Sequence, residues 1–148
     1  MVNNWFGEIM DGAAELIRRL RGLGNLGKDI VEEITETATQ IEIGAIGDAP
    51  IGINQKIAKV AAQGGLTQTI NVNAGNIGAY VEFGTGQSAQ ALVPTLPKEF
   101  QDIARTFYIN GQGRLIAKPY FYPNWVRYTN GFEGRLLKIV NDAANGRR

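Results

Sequence analysis

Neither histidine nor cysteine occurs anywhere in the chain. That removes the commonest general base near neutral pH, the commonest transition-metal ligand, thiol nucleophiles and disulfides. Ionisable chemistry is left to carboxylates, lysines and tyrosines. Glu32, Glu33, Glu36 and Glu42 are close enough in sequence to be considered as a site for a hard cation or for acid-base work. Such a site needs several oxygens converging in a cavity, and the spacing reads instead as the solvated face of a helix. Gly84-Thr85-Gly86 and Gly111-Gln112-Gly113 have the composition of phosphate loops but neither the GxGxxG nor the GxxxxGK[ST] spacing, so they read as turns. Arg105, Arg114, Lys118, Arg127, Arg135 and Lys138 are interleaved with Tyr108, Tyr120, Tyr122 and Tyr128. This pattern suits either phosphate neutralisation with base stacking or a complementary protein surface. No nucleophile paired with a base, no metal-ligand cluster and no phosphate loop is legible. The expectation is a protein of contacts, without catalysis, metal or cofactor.

At 148 residues the chain suits a single domain able to bury a core without staples. Its formal net charge of +1 hides a polarity. Residues 1–104 carry 7 Lys/Arg against 12 Asp/Glu, a net of −5, whereas residues 105–148 carry 8 against 2, a net of +6. If the two segments lie on different faces, copies attract head to tail, less so as salt rises. The amino terminus has no basic region followed by an unbroken apolar core, and no apolar run reaches the ~20 residues a spanning helix needs. The sequence therefore predicts neither signal peptide nor membrane segment, and a soluble cytoplasmic product.

The elements that must position these groups follow from periodicity. Trp5, Ile9, Ala13, Leu16, Ile17 and Leu20 form one helical stripe. Gly22, Gly24 and Gly27 are expected to end that helix, so residues 1–27 read as a helical extension. A second helix is predicted from near Lys28, with Ile30, Ile34, Ala38 and Ile41 inward, broken by the glycines and proline of residues 44–52. Ile57, Val60 and Ala62 lead to Gly64-Gly65, which reads as a two-residue hairpin turn, and Leu66, Thr67, Thr69, Ile70 and Val72 resume a β-rich run. Residues 73–78 read as a turn and Tyr80-Val81-Glu82-Phe83 as a further strand. There Glu82 would point opposite to both neighbours, to water or to a partner's cation. Residues 87–97 read as a loop closing at Pro97. A short helix follows on Phe100, Ile103, Ala104 and Phe107, then a turn at residues 110–113 and a short extended piece through Leu115 and Ile116. A last helix is expected from Pro123 or Asn124, carrying Trp125, Val126, Phe132, Leu136, Leu137 and Val140, with Gly131 and Gly134 able to interrupt it. The predicted fold is α+β: a three- to four-stranded antiparallel sheet packed by an N-terminal helical region and a C-terminal helix.

Two tracts stand out: AYVEFGTG at residues 79–86 and AKPYFYPNW at residues 117–125, where Pro119 and Pro123 bracket three aromatic rings. With Asp48-Ala49-Pro50 after a helix, VPTLPKEFQDIARTFY at residues 93–108 and the Asn110-Gly111 that follows, their order resembles the tail-completion or head-tail joining proteins of long-tailed bacteriophages, also described as minor tail or minor capsid proteins. AYVEFGTG matches that family's strand and glycine turn. AKPYFYP matches its closing Ala-x-Pro-aromatic-aromatic-x-Pro element. The chain departs from the pattern at Ile51-Gly52-Ile53-Asn54, where the family has an Asp-Thr-Gly-x-Leu-like turn, and its residues 5–20 have no family counterpart.

The resemblance implies a virion structural protein that assembles with copies of itself into a ring, a hexamer or dodecamer, at the neck or tail end. Its partners would be the portal-proximal connector and the tail-tube or tail-terminator proteins. Under it, Tyr80, Glu82, Phe83, Gly84, Thr85 and Gly86 become candidates for the edge and turn that position a subunit contact. Pro119, Tyr120, Phe121, Tyr122 and Pro123 become packing or interface anchors, and Arg105, Arg114, Lys118 and Arg127 candidate cations for a DNA-bearing lumen. The alternative from the residues themselves is a nucleic-acid-binding module built on the basic, aromatic C-terminal segment.

Overall fold

Ile30, Ile34, Ala38, Ile41 and Ala45 recur at spacings of three and four, and all are buried along one side of a single long helix, α1 (Leu26–Asp48). The computed structural model describes residues 25–107 and 112–145. The expected helix over residues 5–20, Tyr108, the Asn110-Gly111 pair and residues 146–148 lie outside them. After α1 come β1 (Ile57–Ala62), β2 (Thr67–Val72), α2 (Gly75–Phe83), α3 (Gly86–Leu92), α4 (Lys98–Phe107), α5 (Tyr122–Thr129) and α6 (Phe132–Ala144). No helix among the described residues is long and apolar enough to cross a membrane.

The architecture is α+β, but among the described residues the sheet has two antiparallel strands, not three or four. β1 and β2 pair from Ile57 opposite Val72 to Ala62 opposite Thr67. The hairpin was expected at this place, but its loop spans residues 63–66 instead of two glycines. Gln63, Gly64 and Gly65 all have positive φ there, and Leu66 turns inward to the core. A two-stranded ribbon is marginal alone. This one lies against α1, where the Lys59 amide donates to the Glu42 carboxylate at 2.8 Å.

The missing strand is residues 80–83, which form the last turn of α2. Aromatic and β-branched residues in a four-residue window read as strand. The positions that turn inward, Gly78, Ala79, Glu82 and Phe83, have helical spacing that only the longer window reveals. Three other expectations fail similarly. α1 runs through Gly44 and Gly47 to Asp48, α2 begins inside the supposed turn at residues 73–78, and α3 with a 3₁₀ turn (Val93–Thr95) replaces the loop of residues 87–97. A helical glycine costs about 1 kcal/mol, which in α1 is offset by the burial of Ile41 and Ala45 on the inward side. α4 and the final helices lie where expected. Gly131, at φ +74, divides that last segment into α5 and α6, while Gly134 sits inside α6.

α1 spans two core clusters. Near its C-terminal half, Ile41 and Ala45 pack with Ile57, Ile70 and Val72 of the hairpin, Ala79 and Phe83 of α2, Phe100 and Ala104 of α4, and Tyr120 and Phe121. Near its start, Leu26, Ile30 and Ile34 pack with Leu66 and Leu136. The larger cluster is where the two tracts meet.

Candidate functional site: the Glu82 junction

α2 delivers Glu82 to the interior and stops immediately afterwards. Gly84 ends the helix at φ +75, and a Cβ there would fall 2.8 Å from the Ala117 amide nitrogen and 3.0 Å from the Leu115 carbonyl oxygen. Only glycine allows so close an approach in that conformation. The connector over residues 112–119 runs through the space this leaves. Thr85 and Leu115 exchange two bonds: the Thr85 amide donates to the Leu115 carbonyl, and the Leu115 amide donates to Thr85 Oγ1, both at 2.9 Å. Further along, the Ala117 amide donates to Ser88 Oγ at 2.9 Å and the Lys118 amide to the Val81 carbonyl at 2.8 Å.

At the end of the connector the chain turns into α5, whose first amides have no intrahelical acceptor. Glu82 supplies one. Its Oε2 accepts from the amides of Tyr120 at 2.8 Å and Phe121 at 2.9 Å, and its Oε1 from that of Tyr122 at 2.7 Å. A residue 38 positions earlier thus caps the helix, and Pro123 in its first turn needs no acceptor. The side chain is 1% exposed, and burial pushes its pKa up from the ordinary carboxylate value while the three amides pull it back. Beside it, the Tyr120 hydroxyl donates to the Gly78 carbonyl at 3.1 Å. Burial, then the Glu82 charge, push that phenol well above its usual range.

Asn124 completes the junction from the α1 side. Its Nδ2 donates to Asp48 Oδ2 at 2.7 Å and to the Tyr120 carbonyl at 2.8 Å. A Cβ on Gly44 would fall 2.1 Å from Asn124 Oδ1, so that glycine is what lets α5 lie against α1. The other end of α5 is held by a cation. Arg135 donates to the carbonyls of Tyr128 at 3.0 Å and Asn130 at 2.9 Å and pairs with Glu33 of α1. A carboxylate at the first amides and a guanidinium at the last carbonyls both match the helix dipole.

The two tracts are therefore one object, with Tyr120 and Phe121 at 0% exposure in its centre. Phe121 stacks on Trp125, with ring centroids 6.3 Å apart, and Phe100 meets Tyr122 edge-on at 4.8 Å. Tyr120 and Phe121 hold the fold together and are not on its surface. Phe83, Gly84 and Gly86 are buried as well, Tyr80, Thr85, Pro119 and Tyr122 are half-buried, and Pro123 is exposed. Glu82 faces neither water nor a partner's cation, as a strand reading required; it faces backbone of its own chain. Sequence reasoning missed Asn124, Gly44 and Gly78. The nearest available signal was a helix that continues through Gly44, since a conspicuous glycine inside a helix often marks close contact.

Among the described residues the remaining carboxylates and cations are dispersed. Glu33 is engaged by Arg135, Glu42 by the Lys59 amide and Glu36 by Gln40. No group of three potential metal ligands occurs among the described residues. A cavity of about 580 Å³ beside the Thr85 turn is lined by Thr85, Gln87, Ser88, Gln90, Arg114 and Ile116 and holds no acid-base pair. Of the cations, Arg105 pairs with Asp102 at 3.1 Å and Lys138 with Asp142 at 2.6 Å. Arg114, Lys118 and Arg127 are exposed and make no ion pair with the described residues. Comparison with family models, curated proteins and solved structures finds no match for the chain.

Proposed function

We propose that this chain is a non-enzymatic structural subunit of a tailed-bacteriophage virion, forming a ring at the neck that joins the connector to the tail tube. The observation that carries the reading is the union of its two resemblance-bearing tracts. AYVEFGTG and AKPYFYP meet through Glu82 and the amides of Tyr120, Phe121 and Tyr122. Each tract supplies what the other lacks, an acceptor on one side and orphan donors on the other, so their residue types make sense as a pair. That support is for a scaffold whose most distinctive residues maintain shape, as a subunit repeated around a ring requires.

The test is electron microscopy of purified virions with symmetry averaging at the neck, together with mass spectrometry of the same particles. The expected result is this chain in a ring between connector and tail, its copy number given by the symmetry. Mature particles that lack the chain would refute the proposal. The nucleic-acid reading retains Arg114, Lys118 and Arg127 but loses Arg135 and Lys138 to pairs within the chain and has Arg105 shared with Asp102. A filter-binding titration decides it, since phosphate tracking must weaken steeply as salt rises.

A further inference from the structure

Two surface patches, one on α1 and one on the connector that the Glu82 junction holds, carry opposite charge. The outer side of α1 presents Ile43 at 63% and Ile46 at 36% exposure, with Glu36 and Glu32 further along the same side. Helical periodicity places these residues opposite Ile34, Ile41 and Ala45, which face the core. Among the described residues Glu36 meets no cation and accepts from Gln40 Nε2 at 3.4 Å. The second patch is the connector. Arg114 and Lys118 are exposed and flank Leu115 at 44% and Ile116 at 73% exposure. Each patch joins two exposed aliphatic side chains to charge: acidic on α1, where Lys28 approaches Glu32 at 3.8 Å and Glu36 is left over, and basic on the connector.

The lengths agree too. Seven helical positions from Glu36 to Ile43 rise about 10.5 Å, and Arg114 to Lys118 spans at most about 14 Å. A connector laid along α1 therefore brings one cation to Glu36 while Leu115 and Ile116 cover Ile43 and Ile46.

We infer that copies of this chain associate head to tail, the outer face of α1 on one copy docking against the Arg114–Lys118 connector of the next. The inference rests on the reading of the chain as an assembly subunit and names the surfaces that reading leaves open. The patches are distinct, and α1 faces α2, which anchors the connector, across the larger core cluster. A copy can hold one neighbour on each patch. Such a contact is heterologous and propagates until it closes into a ring. Opposite charges supply orientation and the aliphatic pairs supply the dry centre.

Charge reversal tests this in the full chain by sedimentation velocity at low salt, with melting temperatures as a folding control. The wild type is expected to self-associate with a Kd no weaker than about 1 mM. Glu36→Arg alone, or Arg114→Glu with Lys118→Glu, should each weaken association about tenfold or more, because an attraction becomes a repulsion. All three changes in one chain reverse both patches and should restore association to within about threefold of wild type. A wild type that stays monomeric through the millimolar range overturns the inference. So do folded reversal variants that associate as well as wild type, or a triple variant that is not rescued. Those outcomes leave the neck assignment standing, because it is judged separately by the presence of the chain in purified particles.

Discussion

Removing the Glu82 side chain tests the account of the fold at its centre. Glu82→Ala strands the amides of Tyr120 and Phe121 in the interior and that of Tyr122 in a half-buried place. An unsatisfied buried donor costs about 1–3 kcal/mol, so the variant should lose about 3–6 kcal/mol. That is a large part of the 5–15 kcal/mol that typically holds a domain folded. Glu82→Gln keeps one acceptor oxygen, enough for Tyr120 and Phe121, but turns an amino group toward the Tyr122 amide, and should lose about 2 kcal/mol. The pair also separates in pH. Burial raises the folded pKa of Glu82 above the ordinary carboxylate value, so the folded chain binds that proton more tightly than the unfolded chain. The contribution is therefore full below the unfolded pKa and declines as pH rises through the folded one. No histidine titrates nearby to blur the window. Urea melts followed by tryptophan fluorescence, with Trp125 packed on Phe121, should show wild-type stability falling from about pH 5 upward and Glu82→Gln lacking that slope. A loss under about 1 kcal/mol in Glu82→Ala, or a wild-type advantage over Glu82→Gln that grows with pH, would show the reasoning wrong.

Other positions carry their own expectations. Phe121→Ala removes a ring at 0% exposure and should cost about 3–5 kcal/mol, read as a drop in melting temperature and a loss of assembly; an unchanged melting temperature with normal particles would contradict the packing argument. Gly44→Ala drives Asn124 from its bonds to Asp48 and Tyr120 at a cost of about 2–3 kcal/mol, and adding Asn124→Ala should recover part of it in a double-mutant cycle, whereas strict additivity would deny the contact. Gly84→Ala meets backbone atoms and a φ of +75, so hydrogen exchange at the Thr85 and Lys118 amides should accelerate at least tenfold, on the order expected for 1–3 kcal/mol of strain; protection equal to wild type would count against it. Arg135→Met frees two carbonyls at the end of α5, and since Arg135 is 43% exposed the loss should be near 1 kcal/mol and shrink with salt, as chemical denaturation at two ionic strengths would report.

How much of this was legible in the chain depends on window length. α1 and α4 have long, regular apolar periods, and the hairpin has β-rich runs on both sides of two glycines, so type and place could be read. Residues 80–83 could not, because four residues of aromatic and β-branched composition carry no period, and the inward set begins at Gly78. Residues 86–92 are small and polar, which describes a loop and a short helix equally well until Ala89 is seen to be buried. The junction was half legible. Both tracts were conspicuous, and the prolines bracketing the rings correctly kept Tyr120 and Phe121 out of helix interiors, with Pro123 opening α5. That Glu82 would serve amides 38 positions away was beyond any local pattern, because a carboxylate between two apolar residues on a supposed strand is ordinarily assigned to water.

This junction also changes where recognition must be sought. Tyr120, Phe121, Glu82 and Phe83 are all used inside the subunit, so the residues that most distinguish the chain are unavailable to a neighbour unless it unfolds. Opening the site would expose two aromatic rings and three amides, at a cost of several kcal/mol that no surface contact of ordinary size repays. Under the proposed assembly, contact between copies falls to exposed groups, which among the described residues include Ile43, Ile46, Ile51, Ile77, Leu115, Ile116 and Leu137 and the charges among them. Of these, Ile43 and Ile116 belong to patches of opposite sign. In the proposed contact, the polarity between acids before residue 105 and bases after it is represented by Glu36 on one side and Arg114 and Lys118 on the other. It passes from α1 to a connector that the glycines, hydroxyls and carboxylate of the Glu82 junction hold in position.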